Sequence, residues 1–314
     1  MNTDKFHEII CDLSLKAGFI DYGAAPVKKL TADCKYLNEY IRKGHNAGMN
    51  YMARNISLRE DPGLLVEDAK SVLCFLAPYK PSENQESSLP QISSYAFGLD
   101  YHHVIKEKLY KILEEIISLM PDAKARVFTD SAPVFERAWA ARAGLGFIGK
   151  NTFLISKSHG LHTLIGLIIL NKEVKYGKQV SQGCGNCTKC LDCCPTGALY
   201  RPFGLDARKC ISYHTIESKP DSHEEFMVDL NNSIFGCEIC LRACPWSGKG
   251  KPGEWPEFMP LNIVGYSKKI TELSSADWEN MDEKTFNLNF SDSPLFRAGL
   301  RKIKISLGTK KDSL

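Results

Sequence analysis

Phe6, Ile9, Ile10, Leu13 and Leu15 recur at helical spacing through residues 3–17, and Gly18 stands where such a helix would be capped. A short apolar stretch around 19–25 predicts a strand, and the pattern from Thr31 to about Lys43 a second helix. Residues 71–77, SVLCFLA, form a continuous apolar run of buried-strand length. A polar loop rich in Ser, Pro, Asn and Glu follows at 80–89, then a predicted strand at 92–97. Residues 104–119 read as an amphipathic helix ended by Pro121. A strand is predicted at 125–129, a helix at 133–143 with proline at its start, and a buried strand at 164–170. Alternating strands and helices over residues 1–172 predict an α/β domain around one sheet, whose strand order the pattern does not contain.

The texture changes across the polar stretch 171–182. From there to Trp246 the chain is dense in Cys, Gly and Pro with little apolar periodicity, so something other than a hydrophobic core must hold it together. Residues 251–314 carry apolar positions without long runs and a basic end (Arg297, Arg301, Lys302, Lys304, Lys310, Lys311). Three parts are therefore expected: 1–172, 173–250 and 251–314, the last packing on the other two.

The chain has 314 residues, enough for roughly two domains of about 150. Its 40 basic and 37 acidic side chains leave a net charge of +3, which excludes coating nucleic acid by overall charge and leaves a local basic patch open. The polar opening MNTDKFHE lacks a signal-peptide pattern, and the apolar run at 164–170 is too short to span a membrane. A soluble, cytoplasmic protein with no membrane contact is expected. Twelve cysteines change the picture, because nine of them fall between Cys184 and Cys244. A disulfide scaffold would be small, secreted and cysteine-rich throughout. Cys11, Cys34 and Cys74 lie in helix or strand patterns and read as small buried hydrophobes.

Cys184, Cys187, Cys190 and Cys194-Pro195 have the spacing of the bacterial ferredoxin run. Three thiolates on one tight loop can reach different irons of one cubane, while the fourth turns away to a second cluster. Cys237, Cys240 and Cys244-Pro245 repeat the end of that motif, and Cys210 supplies the missing member. The crossover assigns Cys184, Cys187, Cys190 and Cys244 to one [4Fe–4S] cluster, and Cys194, Cys210, Cys237 and Cys240 to the other. Zinc is the alternative for paired Cys-x2-Cys, but two runs ending in Cys-Pro argue against a ribbon. Cys193 falls outside the register and reads as a spare thiol beside a cluster. Two clusters make an electron wire, which places the chemistry in the α/β part.

Gly144-Leu-Gly146-Phe-Ile-Gly149 matches the dinucleotide fingerprint, yet it follows a helix and precedes an extended segment. That order is the reverse of what the fingerprint requires, so no nicotinamide site is expected. Asp130 stands at the end of a predicted strand, where ligands bind in open α/β sheets. From the residues alone it reads first as a cap for the helix expected at Pro133. His102 and His103 are adjacent and point different ways on a helix, so they form no metal pair. His159 and His162 flank Gly160-Leu161, and loop histidines of this kind are seldom ligands.

The stretch Thr129–Thr152, TDSAPVFERAWAARAGLGFIGKNT, together with both cysteine groups, resembles epoxyqueuosine reductase. So do Asp100-Tyr-His102, Leu205–Ser212 and Phe235–Cys240 with the following Cys-Pro-Trp246. The resemblance covers most of residues 45–250 and leaves the role of the last part open. It implies an N-terminal α/β cobalamin-binding domain followed by a ferredoxin-like domain with two [4Fe–4S] clusters. The implied reaction converts epoxyqueuosine to queuosine at the wobble position of tRNA, with electrons passing from the clusters to cobalt. Base-off cobalamin is implied, in keeping with the absence of an Asp-x-His-x-x-Gly motif. Asp130 occupies the family's proton-donor position, which favours catalyst over cap; a raised carboxyl pKa in an apolar setting is then expected. Implied cobalamin contacts are Arg54, Ser93, Tyr95, Asp130, Lys150, Asn151, Leu154, Ile165, Ser212, Cys237 and Glu238, several through backbone groups. Against these, Arg54 and Lys150 also read as solvated charges, and Leu154 and Ile165 as core.

The implied partner is a tRNA anticodon stem-loop, whose unpaired bases can be splayed into a pocket. Lys209, Tyr213, His214, Lys219, Arg242, Lys249 and Lys251 are candidates to line its path, with a merely solvated basic face as the alternative. An external electron donor and a monomer are expected. The rival readings are a cobalamin reductive dehalogenase, which would usually carry an export signal, and a ferredoxin-like electron carrier.

Overall fold

The structure, a computed structural model, describes residues 2–218 and 228–308. Helix α1 (Thr3–Lys16) leads through Gly18, at φ +89°, to strand β1 (Asp21–Pro26). Helices α2 (Thr31–Arg42) and α3 (Ile56–Glu60) precede the central strand β2 (Ser71–Pro78). The short strand β3 (Gln91–Ile92) and helix α4 (Tyr101–Leu119) come next, followed by β4 (Ala125–Phe128) and α5 (Glu136–Arg142). A hairpin of β5 (Phe147–Ile148) and β6 (Leu154–Ile155) leads to β7 (Thr163–Leu170).

The main sheet has the order β1-β2-β7-β4, and every neighbouring pair is antiparallel. The apolar run of β2 is explained by burial on both faces, with alternation deciding the side. Leu73, Phe75 and Ala77 enter the core under α1 and α4, whereas Val72, Cys74 and Leu76 enter the core under α5. Gly166 of β7 lets α4 approach: a Cβ there would lie 2.7 Å from Leu109 Cδ1 and 2.8 Å from Ile105 Cγ2.

Two expected elements differ. The strand predicted at 92–97 stops at Ile92 and becomes a 3-10 turn over Ser94–Ala96, because the Ser94 N–H and hydroxyl both turn to the Glu238 carboxylate (2.9 and 2.7 Å). The helix predicted from Pro133 starts at Glu136 with Phe135 as its N-cap. Residues 129–134 are instead used in tight turns, Ser131 N–H to Thr129 O and Val134 N–H to Ala132 O.

The cysteine-rich part carries little regular structure: α6 (Lys189–Asp192), the hairpin β8 (Leu199–Arg201) and β9 (Gly204–Leu205), a π-turn over Tyr213–Glu217, β10 (Ser233–Phe235) and α7 (Ile239–Arg242). A small core of Phe147, Ile155, Leu161 and Leu241 joins it to the β5–β6 hairpin. After residue 250, helices α8 (Ser275–Asn280), α9 (Glu283–Phe290) and α10 (Leu300–Gly308) surround Trp278, Phe286 and Phe290. That core also contains Ile92, Phe97, Ile234 and Phe235, with β10 pairing parallel to β3, so the last part shares its interior with the other two. Among the described residues no helix is long and apolar enough to cross a membrane.

Candidate active site

Strand β4 delivers Asp130 to the end of the sheet. Thr129 donates its hydroxyl to Ile165 O of β7 (3.0 Å), and Asp130 then takes φ +52°, a left-handed conformation uncommon outside glycine and asparagine. Tyr101 OH donates to Asp130 Oδ2, and His102 Nε2 stands 3.4 Å from the same oxygen. The Tyr101 and His102 rings stack at 4.1 Å. Behind them, Asp100 caps α4 by accepting the His102 N–H (2.9 Å) and holds His102 Nδ1 at 2.7 Å. Asp130 therefore caps no helix. Its carboxyl is 59% exposed.

The protonation expected for Asp130 is corrected by these partners. Desolvation pushes its pKa up, but the His102 and Tyr101 hydrogen bonds and the His102 and Arg137 charges outweigh it and hold the carboxyl at about 2. For His102, burial works downward, and the bonds and charges of Asp100 and Asp130 carry it up to about 9. His102 thus stands between two carboxylates, one at each ring nitrogen. Close by, Glu136 is pushed up to about 7, chiefly by desolvation, and its Oε1 is buried without a hydrogen-bond partner.

The cysteines fall into two neighbourhoods. Cys190 feels Cys244, Cys184 and Cys187, and Cys244 feels Cys184 and Cys187. These four line one cavity of about 330 Å³ with Lys150, Asn151 and Trp246. Cys237 feels Cys210 and Cys194, and Cys240 feels Cys237, Cys210, Cys193 and Cys194. The thiols of the first group surround that cavity and do not meet at a point. Among the described residues no three His, Cys, Asp or Glu side chains close on a single ion. Cys193 Sγ lies between the two loops, 3.5 Å from Cys190 O and 3.7 Å from Ile239 O. Of the cysteines outside the cassette, Cys34 and Cys74 are buried and Cys11 is half-buried.

A continuous path joins the second group to Asp130. Glu238, next to Cys237, holds Ser94; the neighbouring Tyr95 packs edge-on to Tyr101 (5.8 Å), and Tyr101 donates to Asp130. Ser93 is buried and donates its N–H to Phe235 O (2.8 Å). Asn151 reaches Cys240 O at 3.5 Å, and the Ser212 backbone N–H faces the Cys210 thiol. Ile165 is half-buried beside Thr129. Three of the implied cofactor contacts stand apart from this group. Lys150 commits its ammonium to Gly185 O (2.7 Å) and Cys187 O (2.9 Å) of the first cysteine loop, Leu154 is core, and Arg54 is exposed.

The candidates for the RNA path divide as well. His214 is buried with Nε2 on Arg208 O (2.8 Å), which removes it from any RNA-facing surface. Tyr213 OH accepts the Gly48 N–H, and Arg242 reaches Gln91 Oε1 at 3.3 Å. Lys249 lines the first cavity, Lys209 and Lys251 are exposed, and Lys219 lies outside the described residues. The glycine fingerprint is a turn: Gly144 (φ +90°) closes α5, and a Cβ on Gly146 would meet Ile155 O at 2.3 Å. The sequence assigned no role to Glu136, and Tyr101 and His102 entered only within the Asp100-Tyr-His102 motif, His102 also as a rejected metal ligand. The available signal was Asp100 at a helix N-cap two residues before a histidine.

Residues 59–131 match the model of the epoxyqueuosine reductase family QueG, DUF1730, and residues 183–247 that of a 4Fe–4S double cluster binding domain. Epoxyqueuosine reductase of Cellulophaga algicola is 37% identical over 306 residues, spanning 96% of this chain and 98% of that protein. The enzyme of the same name from Pseudomonas aeruginosa is 33% identical, over 97% and 86%. Among solved structures, an epoxyqueuosine reductase with an epoxyqueuosine-modified tRNA-Tyr stem loop superposes with a TM-score of 0.85 at 25% identity, covering 98% of this chain and 80% of that one. The Streptococcus thermophilus epoxyqueuosine reductase gives 0.80 at 27% identity, covering 95% and 78%. With its fold, its double-cluster module and relatives matched over nearly their whole length, the chain belongs to the epoxyqueuosine reductase family.

Proposed function

We propose that this protein reduces epoxyqueuosine to queuosine in the anticodon loop of tRNA, using cobalamin and two [4Fe–4S] clusters. Cys184, Cys187, Cys190 and Cys244 would hold one cluster, and Cys194, Cys210, Cys237 and Cys240 the other. The observation that carries the reading is the path from Cys237 through Glu238, Ser94, Tyr95 and Tyr101 to Asp130, which ties one cysteine group to one acid.

The unpartnered polar atoms around the end of the sheet suit a large, amide-fringed cofactor. His162 Nδ1, Thr163 Oγ1 and Glu136 Oε1 are buried without hydrogen-bond partners, and the first three residues of β7 are half-buried where the rest of the strand is covered. Ser93, Tyr95, Asn151, Ile165, Ser212, Cys237 and Glu238 would hold cobalamin there. Lys150, Leu154 and Arg54 would contribute through backbone or rim positions. When bound, cobalamin supplies a carbon-directed nucleophile fed with single electrons by the clusters. The chain's own part is to seat the ring, exclude water and bring a proton to the epoxide oxygen at Asp130. An external carrier supplies the electrons, and the chain acts as a monomer.

Asp130→Asn tests this reading. The variant is expected to keep its iron and bind cobalamin, while conversion of epoxyqueuosine in a tRNA stem-loop, read by nucleoside mass spectrometry, drops by about 10²–10⁴-fold. Turnover at the unmodified rate would refute the assignment.

A further inference from the structure

We propose that Asp100 and His102 form a proton-holding pair that acts through Asp130, so that the proton reaching the epoxide oxygen rests on His102 between turnovers. The proposal depends on Asp130 being the group that meets that oxygen. Geometry carries it: Asp100 Oδ1 holds His102 Nδ1 at 2.7 Å, and His102 Nε2 lies 3.4 Å from Asp130 Oδ2. Tyr101, stacked on the imidazole, donates to the same Oδ2 and fixes the carboxylate against it. His102 is a positioning residue in this scheme, since it touches Asp130 and not the substrate.

The surrounding charges favour this placement of the proton. From α4, Asp100 and His103 act on the pair, with Lys106 reaching across to Ser131 Oγ (2.8 Å). From the β4–α5 segment come Asp130, Arg137 and the raised carboxyl of Glu136. Tyr51 and Tyr95 also feel the Asp130 charge, and burial raises the pKa of each. A carboxylate held at about 2 cannot store a proton at neutral pH, whereas an imidazole held at about 9 does. The transfer balances as two linked steps. The His102 Nε2–H bond breaks as Asp130 Oδ2–H forms; that bond then breaks as O–H forms on the departing oxygen. His102 is left neutral, its remaining proton on Nδ1 toward Asp100. The two electrons of the reduction come from the clusters, and solvent re-protonates His102 to supply the second proton of the released water.

The pair is testable on the cluster-loaded enzyme by deuterium exchange at histidine Cε1, which reads the titration midpoint of each histidine by mass spectrometry. His102 is expected to titrate at about 9. Its midpoint should fall toward about 6.5 in Asp100→Asn. Asn is chosen because it still caps α4. The alkaline limb of kcat/KM for the stem-loop should move down with it. His102→Gln should lose about 10²-fold in kcat at unchanged KM and shed that limb altogether. Unchanged iron content and an unchanged far-UV circular dichroism spectrum show that each variant is folded. A wild-type His102 midpoint near 6.5, or an alkaline limb that stays in place in Asp100→Asn, overturns the proposal. An active Asp130→Asn instead overturns the underlying assignment, so the two failures are distinguishable.

Discussion

Lys80, just past the end of β2, donates its ammonium to three successive carbonyls, Gly248 O (3.1 Å), Lys249 O (3.2 Å) and Gly250 O (2.9 Å). These residues follow Cys244-Pro245-Trp246, so the clamp fixes the exit of the loop that supplies the fourth thiol of the first group. Lys80→Met keeps most of the stem and removes all three bonds. A hydrogen bond from a charged donor contributes about 1.5–3 kcal/mol when well shielded. Two of these three are open to water and only the Gly250 bond is part-buried, which brings the whole clamp to about 2 kcal/mol. At 1.36 kcal/mol per decade, local opening of the loop should become roughly thirtyfold more frequent. The assay is anaerobic iron release to a chelator, followed in the visible, with electron paramagnetic resonance identifying which cluster remains. The first cluster should be lost roughly thirtyfold faster, while the second keeps its wild-type rate. Equal loss of both clusters, or no acceleration, would refute the reasoning.

Two further outcomes follow from the site. Cys244→Ala, although it lies in the later cysteine group, should remove the first cluster; iron should fall by about half and the resonance of the second cluster should persist. Loss of the second cluster instead would show that the chain does not cross over. Stability should also respond to pH through the Asp130–His102 pair. A carboxyl depressed to about 2 stabilises above its unfolded value near 4, and that contribution is lost as pH falls toward 2. A histidine raised to about 9 stabilises below about 6.5, and that contribution is lost as pH rises to 9. The urea midpoint should therefore decline between pH 6.5 and 9, and His102→Gln should flatten the decline; an identical slope in the variant would count against the ion pair.

The legible features were those governed by neighbours in sequence. The cysteine spacing foretold which thiols share a loop, and the helical period foretold α1 and most of α4. Burial of β2 and β7 was equally plain, since a run apolar at every position has to be covered on both faces. Strand direction was hidden, because β2 (ending at Pro78) pairs with β7 (starting at Thr163) across a long intervening stretch, and the pattern is the same either way up. The early end of β3 was hidden for a similar reason: the group that captures Ser94 is Glu238, 144 residues away. The protonation of Asp130 depended on Tyr101 and His102, 29 and 28 positions earlier, so reasoning from an isolated carboxyl gave the wrong sign.

The start of α4 is held from far along the chain. Leu99 donates its N–H to Glu257 O (2.7 Å) and Asp100 donates its N–H to Asp292 O (2.6 Å). Both carbonyls lie beyond every cysteine of the cassette in the chain, so they leave the ribosome after it. During translation the cysteines proposed to hold both clusters thus emerge before Asp100 meets its anchor at Asp292. A chain released between residues 258 and 290 would carry every cysteine of the cassette and yet leave the proposed proton site without its Asp292 tie.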